Sequence, residues 1–257
     1  MTDRLLFNFS YQFPGVVWNT VAMPDHHVLL LEIRDHALKS VSFSAIQYAE
    51  NKILWRDFSL EEPWWINLAG ASDGIILFNA YTETSNPDRK AILAYDLGRK
   101  LRWWRNDFSM TSVGQDHVRG VVSRLGLQEI ALDLHSGEEV PLKAPVAMDT
   151  SMVILPAQYP EGTAHFETVK TFLSQKLNLM PVLSLEYTEH HACIMISYYV
   201  MENGLANYLL VMQKNGAVMM HEKLGEQLKG IGLGTFFILS GCLIFVKNRM
   251  ELVSYFL

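Results

Sequence analysis

KILWRDFS, residues Lys52–Ser59, recurs in recognisable form twice more in this chain, as RLLFNFS (Arg4–Ser10) and RWWRNDFS (Arg102–Ser109). When the three copies are aligned, an aromatic residue occupies one position 48 and then 49 residues apart: Phe7, Trp55 and Trp104. A repeat of roughly fifty residues is typical of arrays of small β-sheet units, such as the blades of a β-propeller. The repeat therefore predicts an all-β fold built from similar sheets.

Tight turns give the number of repeats. In a four-stranded antiparallel blade, one such turn joins the first two strands. Five turns of similar composition stand between strand-like segments: Asp25-His26-His27, Asp73-Gly74, Asp116-His117, Glu189-His190-His191 and Ser240-Gly241. Their last residues are 47, 43, 74 and 50 positions apart. Five turns predict five blades, with extra residues in the long third step.

The last blade is one strand short before the sequence ends. After the fifth turn only Cys242–Val246 and Leu252–Leu257 are strand-like. Arg4–Ser10, which aligns with outermost strands, can supply the missing strand and so remove the exposed sheet edges of an open array. We predict a five-bladed β-propeller closed by the N-terminal strand, with residues 1–257 forming a single domain.

The surplus residues lie between Pro156 and Pro181, where the alternation typical of strands stops. Within this insertion Thr163 is a plausible N-cap, and the segment up to Asn178 has apolar residues at three- and four-residue steps. These apolar residues are Phe166, Val169, Phe172, Leu173 and Leu177. The pattern predicts one amphipathic helix inserted between the third and fourth blades.

Composition excludes several classes of protein. Hydrophobic residues make up 49% of the chain and charged residues 19%, which is typical of an ordered globular protein. The net charge of −6 and the lack of a run of Lys and Arg argue against nucleic-acid binding. No segment reaches the roughly 18 apolar residues of a membrane span, and the N-terminus lacks a signal-peptide core, so we expect a cytoplasmic protein that does not bind membranes.

The only two cysteines, Cys193 and Cys242, lie in apolar runs. This placement predicts buried free thiols rather than a disulfide scaffold.

Two phrases resemble the repeat of quinoprotein-type propellers: AYDLGRKLRWW (Ala94–Trp104) and ALDLHSGEEV (Ala131–Val140). The matching positions are the repeat aspartates Asp96 and Asp133, the turn glycines Gly98 and Gly137, and a terminal tryptophan, Trp103 or Trp104. The resemblance implies a fold and not a quinone site, because the chain lacks the adjacent cysteines and the length of quinoprotein dehydrogenases. As a whole, the sequence looks like an uncharacterised bacterial family of unknown function.

A candidate ligand site lies where the chain enters the first two innermost strands. Two prolines, Pro14 and Pro63, are 49 residues apart, and each is followed by tryptophan: Trp18 after the first, Trp64 and Trp65 after the second. Two asparagines, Asn19 and Asn67, each lie six residues before the aspartate of the next turn. Indole rings and amides at the mouth of a central channel could hold a polar ligand. We add Arg119 to this predicted site. Alternatively, the amides tie loops together and the rings plug the channel.

The sequence predicts no catalytic residues, metal site or cofactor. The His-containing turns belong to separate blades, too far apart to bind one ion. Glycoside cleavage requires two carboxylates, whereas the predicted innermost strands contain only Glu186. Asp116-His117-Val118-Arg119 has residue types suited to acid–base chemistry, but the turn already accounts for Asp116 and His117.

Two hypotheses for function follow, and the first of them, a non-catalytic protein, is the one we favour. In the first, the chain is an interaction or scaffold protein whose inserted helix binds an unknown protein partner through Phe166, Lys170, Phe172 and Leu173, because rigid folds display function on irregular segments. The alternative for the helix is that its apolar stripe only covers a blade flank or the channel mouth. In the second, the protein is a small polar-ligand-binding protein, or an enzyme, that uses the channel mouth.

Overall fold

The computed structural model describes residues 4–81, 90–123, 126–142 and 152–257. These residues form five antiparallel β-sheets of four or five strands. They belong to two compact units: Pro14–Thr150 holds three sheets, and Met1–Phe13 with Ser151–Leu257 holds two sheets and a helix. The predicted all-β fold is confirmed.

The unit Pro14–Thr150 consists of three consecutive meanders, with strands numbered along the whole chain. The first contains β2 (Val16–Met23), β3 (Val28–Asp35), β4 (Ser40–Gln47) and β5 (Lys52–Phe58); the second β6 (Ile66–Ser72), β7 (Ile75–Tyr81), β8 (Lys90–Asp96) and β9 (Leu101–Arg105); the third β10 (Phe108–Val113), β11 (His117–Ser123), β12 (Leu127–Asp133) and β13 (Glu139–Val140). Sheet order equals chain order, as in a propeller blade. The predicted turns join β2 to β3, β6 to β7 and β10 to β11.

The second sheet is buried on both faces, which explains why β7 is apolar without interruption. Side chains alternate along a strand. Ile76 and Phe78 therefore pack with the first sheet, whereas Ile75 and Leu77 pack with the third. The rings of Phe43 and Phe78 lie 4.6 Å apart in the first of these two cores. Burial of such side chains is the main contribution to the stability of this unit.

A repeated hydrogen bond joins neighbouring sheets in this unit. Trp55 on β5 donates its Nε1 proton to the Leu97 carbonyl at 3.0 Å, and Trp103 on β9 donates to the Leu134 carbonyl at 2.8 Å. Trp55 and Trp103 also oppose alanines at equivalent positions in the adjacent strand. The structural equivalent of Trp55 is thus Trp103, which corrects the sequence alignment by one residue.

The repeat aspartates stabilise the turns that follow them. Asp96 accepts a hydrogen bond from the Lys100 amide at 2.9 Å, and Asp133 accepts one from the Ser136 amide at 2.8 Å. Gly137 in the second of these turns has a φ of +72°, and a Cβ there would lie 2.6 Å from the indole of Trp103. The matched glycine therefore allows both the turn and the close approach of the tryptophan.

The second unit contains the remaining strands. One sheet has the order β1 (Leu6–Gln12), β22 (Glu251–Phe256), β21 (Cys242–Lys247), β20 (Phe236–Leu239) and β14 (Val153–Ile154); the other has β15 (Ala157–Pro160), β16 (Pro181–His190), β17 (Cys193–Met201), β18 (Leu205–Gln213) and β19 (Val218–Leu228). The predicted pairing of the N-terminal strand with the C-terminal strand is present, with Phe7 opposite Tyr255. Short edge strands β14 and β15, which the sequence analysis left out, complete the two sheets.

The predicted helix is α1, Ala164–Leu177. Thr163 is its N-cap and accepts a hydrogen bond from the Phe166 amide, and Asn178 ends it in a left-handed conformation. Its buried residues, among them Phe166 and Leu173, pack on the sheet that contains β16, β17 and β18. Within the described ranges, no helix combines the length and the apolar character that crossing a membrane requires.

Candidate functional site

A cleft of about 530 Å³ opens in the unit Pro14–Thr150. Its volume falls in the range of known sites for small ligands. The lining residues come from the first two sheets and the segment between them: Trp18, Asn19, Glu32, Arg34, Trp64, Trp65, Asn67 and Tyr81. Four of the five residues in the predicted ligand site therefore line one cleft.

A β-bulge directs Trp18 to the cleft. The pairing of β2 with β3 shifts register between Val17 and Asn19, so Trp18 has no partner opposite it. Bulges re-aim side chains and are common beside functional sites. Gly15 allows the chain to approach β3 here, because a Cβ at that position would lie 2.6 Å from the carbonyl oxygen of Arg34. The Trp18 side chain remains 57% exposed.

The other two indoles are positioned through their backbone. One carboxylate oxygen of Glu62 accepts hydrogen bonds from the amides of Trp64 and Trp65, at 3.0 and 2.8 Å. The Trp65 carbonyl accepts a hydrogen bond from the Tyr81 amide at 2.8 Å, and the two rings contact edge to face, 6.4 Å apart. Trp65 is nevertheless 46% exposed. Its main chain is thus held in place while its ring faces solvent.

The floor of the cleft is organised around the peptide groups of Leu68. Its amide donates to Glu32 Oε2 at 2.8 Å, and its carbonyl accepts from the side-chain amides of Asn19 and Asn67, at 3.0 and 3.3 Å. The structure therefore brings the two predicted asparagines together on a single carbonyl. Asn67 Oδ1 is buried and has no hydrogen-bond donor among the described residues. An unsatisfied buried acceptor is unusual and requires an explanation.

A buried ion pair lies beneath the indoles. Arg34 Nε is 2.6 Å from Glu32 Oε1, and its other two nitrogens donate to the carbonyls of Trp64 and Ile66, at 3.2 and 2.7 Å. The guanidinium also lies 5.0 Å from the ring centroid of Trp64 and 5.7 Å from that of Trp18. Glu32 is fully buried. Such a pair, with its remaining groups hydrogen-bonded, fixes the geometry of the ring walls.

The sequence analysis missed Glu32 and Arg34. A signal was present, since Glu32 is the one charge inside VLLLEI, an otherwise apolar strand segment. A charge in such a position is buried and paired more often than it is exposed.

Arg119, the fifth predicted ligand residue, lies elsewhere and does not line the cleft. It is on β11, where its Nε is 3.5 Å from His117 Nε2 and its Nη1 is 3.8 Å from Glu129. The Nδ1 atom of His117 is in turn 2.6 Å from Asp116. These contacts hold the turn and the third sheet together, which is the role the turn assignment predicts for Asp116 and His117.

The predicted partner-binding residues of α1 differ in their exposure. Phe166 and Leu173 are fully buried against the sheet, and Phe172 is half-buried. Lys170 forms an ion pair with Glu161 at 3.3 Å and lies 5.5 Å from the ring of Phe166. The apolar stripe of the helix therefore covers a sheet face, as the second interpretation of the helix expects.

Glu186, the acid expected in an innermost strand, is buried in the other unit. Its carboxylate accepts hydrogen bonds from the amides of Gly234 and Thr235 and from the Thr235 hydroxyl, at 2.5 to 2.9 Å. The Thr235 hydroxyl also contacts Ser197 at 2.7 Å. This carboxylate anchors the loop before β20.

Comparisons with known proteins give one family match and several similar solved structures. Residues 22–104 match the model of a domain of unknown function, DUF4905. No curated protein matches. Among solved structures, the chain is similar to BamB from Moraxella catarrhalis (10% identity, TM-score 0.36, covering 93% of this chain and 84% of BamB). It is also similar to the β-propeller domain of the Trilobed protease from Pyrococcus furiosus (10% identity, TM-score 0.34, covering 92% of this chain and 65% of that one). The expected likeness to an uncharacterised family is confirmed over residues 22–104.

Proposed function

We propose that this protein binds a small polar ligand, without transforming it, in the cleft of the unit Pro14–Thr150. The observation that carries the proposal is the exposure of two indoles, Trp18 and Trp65, over a buried hydrogen-bonded floor. Large aromatic side chains contribute most to stability when they are buried. Two of them held partly exposed around one cleft indicate a surface that a ligand covers.

Binding fits the cleft better than catalysis does. A general acid or base must lie within hydrogen-bond reach of the proton that it transfers. Among the described residues that line the cleft the one acid is Glu32, which is fully buried with one oxygen against Arg34 and the other on the Leu68 amide. This carboxylate is engaged in holding the site together.

In the same proposal, the five sheets are five propeller blades, and β1 closes the ring. The five antiparallel sheets and the pairing of β1 with β22 support this arrangement. The interaction hypothesis has less support, because the helix residues expected to bind a partner include Phe166 and Leu173, which the sheet already covers.

The experiment that tests the proposal compares two exposed tryptophans, one in the segment before β6 and one on β9. Trp65 lines the cleft, whereas Trp104 is 59% exposed on the outer strand β9 and does not. A library of small polar fragments is screened against the wild type by saturation-transfer NMR, and affinities of the hits are measured for Trp65→Ala and Trp104→Ala. We expect Trp65→Ala to weaken binding by about tenfold or more, because stacking on the ring is lost.

Trp104→Ala should bind the same fragments with unchanged affinity. If no fragment binds, or if both variants bind every hit as the wild type does, the cleft is not a ligand site and the proposal fails. Circular dichroism spectra of the two variants check that each remains folded.

A further inference from the structure

We infer that the ligand of this cleft is a neutral carbohydrate, an inference that rests on the proposed function. A pyranose ring has a face of C–H groups that packs on an indole and a rim of hydroxyls that donate and accept hydrogen bonds. The cleft offers an indole surface, an unsatisfied acceptor and a floor without net charge. These features favour a neutral sugar over other small ligands, and the ammonium groups of Lys39 and Lys90 beside the rings make an acidic sugar the main competing outcome of the test.

The floor carries no net charge to attract an ion. Arg34 and Glu32 neutralise each other at 2.6 Å, and both are further occupied by backbone groups of the segment from Trp64 to Leu68. An ionic ligand would lose its hydration without gaining a free counter-charge from this pair. A neutral ligand avoids that cost.

The ring faces disfavour a cationic ligand. The guanidinium of Arg34 and the ammonium of Lys39 lie 5.0 and 4.9 Å from the ring of Trp64, and the ammonium of Lys90 lies 5.2 Å from the ring of Tyr81. Rings already engaged by cations would bring a bound amine close to like charges. Because the Arg34 guanidinium also lies 5.7 Å from the ring of Trp18, the half-exposed ring of Trp65 is the main stacking surface for an uncharged sugar.

The geometry of the rings disfavours a planar base. Three ring contacts at the cleft are edge to face, with interplanar angles of 64° for Trp18 with His36, 72° for His36 with Trp64 and 71° for Trp65 with Tyr81. These contacts do not form a parallel pair of rings of the kind that sandwiches a nucleobase. Rings at steep angles to their neighbours suit a ligand that packs one face at a time and hydrogen-bonds along its edge.

Asn67 supplies the polar recognition. Its Nδ2 donates to the Leu68 carbonyl, whereas its Oδ1 is buried and has no donor within the described ranges. Once the side chain turns this oxygen toward the cleft, a sugar hydroxyl can donate to it, which would satisfy the acceptor and fix the orientation of the ring. The inference therefore assigns Asn67 to one hydroxyl of the bound sugar.

Isothermal titration calorimetry with defined probes tests the class of ligand. The neutral probes are trisaccharides of glucose, galactose, mannose, xylose and N-acetylglucosamine. The charged counterparts are trigalacturonic acid and the glucosamine trimer, and the non-sugar probes are adenosine, uridine and choline. We expect at least one neutral trisaccharide to bind the wild type and Trp104→Ala, and to bind Trp65→Ala much more weakly.

Asn67→Ala, with Asn79→Ala as its matched control, then tests the orientation. Asn79 stands opposite Asn67 in the neighbouring strand and also has a buried Oδ1 without a donor, but it does not line the cleft. We expect Asn67→Ala to bind the sugar roughly three- to tenfold more weakly and Asn79→Ala to bind it normally. One monodeoxy analogue of that sugar should bind the wild type more weakly and bind Asn67→Ala no worse than the parent sugar does.

Several outcomes overturn the inference. Tighter binding of the acidic or amino sugar, or binding of a nucleoside or choline without any neutral sugar, would assign the cleft to another class of ligand. Fragments that bind the cleft while no saccharide does would refute the carbohydrate and leave the proposed function standing. If neither fragments nor probes bind, both fall together.

Discussion

Trp103 should be one of the most important single residues for the stability of the unit Pro14–Thr150. Its side chain is 8% exposed, packs in the core between the second and third sheets, and donates a 2.8 Å hydrogen bond to the Leu134 carbonyl. The Gly137 turn lies against its ring. One side chain therefore provides packing, a hydrogen bond between sheets and a surface on which a turn rests.

Two substitutions separate these contributions. Trp103→Ala removes the ring and leaves a cavity, and replacing a buried aromatic residue by alanine costs about 3–5 kcal/mol of unfolding free energy. Trp103→Phe keeps most of the packing but leaves the Leu134 carbonyl without its donor. An unsatisfied buried carbonyl costs about 1–3 kcal/mol. Trp103→Phe should therefore be destabilised by roughly half as much as Trp103→Ala.

Trp104 is the matched control, because it is the next residue of the same strand and is 59% exposed. Trp104→Ala should change the free energy of unfolding by only about 0.5 kcal/mol. The assay is urea unfolding monitored by far-UV circular dichroism. All variants are fitted with one shared m-value, the slope of unfolding free energy against urea concentration. Equal stability losses for the Trp103 and Trp104 alanine variants would refute the role assigned to the hydrogen-bonded tryptophan.

Three further predictions concern other parts of the chain. Phe9 is buried and Phe7 is exposed on the same strand, β1. Phe9→Ala should therefore lower the melting temperature of the protein markedly, whereas Phe7→Ala should hardly change it. Differential scanning calorimetry measures both. Burial raises the pKa of both cysteine thiols, so neither should react with Ellman's reagent at pH 8 until the protein unfolds. Hydrogen bonding, first of all from the Ser136 amide, lowers the pKa of Asp133; its carboxylate therefore stabilises the fold above about pH 4 and loses this effect as the pH falls through the native pKa. The difference in unfolding free energy between wild type and Asp133→Asn should accordingly shrink on acidification from pH 6 to pH 2. A difference that stays constant would contradict the role assigned to this carboxylate.

Local chemistry made much of the fold predictable. The turn pairs such as Asp73-Gly74 and Ser240-Gly241 include residues that tolerate left-handed backbone, and Gly74, Ser240 and Gly241 adopt it in the structure. Helix α1 was predictable because a Thr cap, an apolar stripe and an Asn end all lie within its own sequence. Each of these signals depends only on neighbours along the chain.

The parts that were not predicted depend on distant contacts. Strand β15, Ala157–Pro160, is four residues long beside prolines, and it forms only because β16 offers its edge. The one-residue difference between Trp103 and Trp104 was invisible because both are tryptophans on one strand, and only the neighbouring sheet decides which is buried.

The cleft was predictable only where its residues follow a regular spacing along the chain. Trp64, Trp65 and the two asparagines carried a spacing signal, and the structure brings them together. The Glu32–Arg34 pair carried no spacing signal, only a lone charge in an apolar strand, and its partners lie on the segment that joins the first two sheets. Arg119 was assigned to the channel mouth, whereas in the structure it contacts His117 and Glu129 of its own sheet.

The pairing of β1 with β22 has a consequence for synthesis on the ribosome. The two strands are separated by about 250 residues, yet they are hydrogen-bonded neighbours in one sheet. At typical rates of translation, β1 leaves the exit tunnel roughly 10 to 50 seconds before its partner exists. During that interval the apolar side chain of Phe9, which is buried in the folded protein, remains exposed to solvent. The nascent chain should therefore present β1 to chaperones until β22 emerges, so this sheet can be completed only long after β1 has been synthesised.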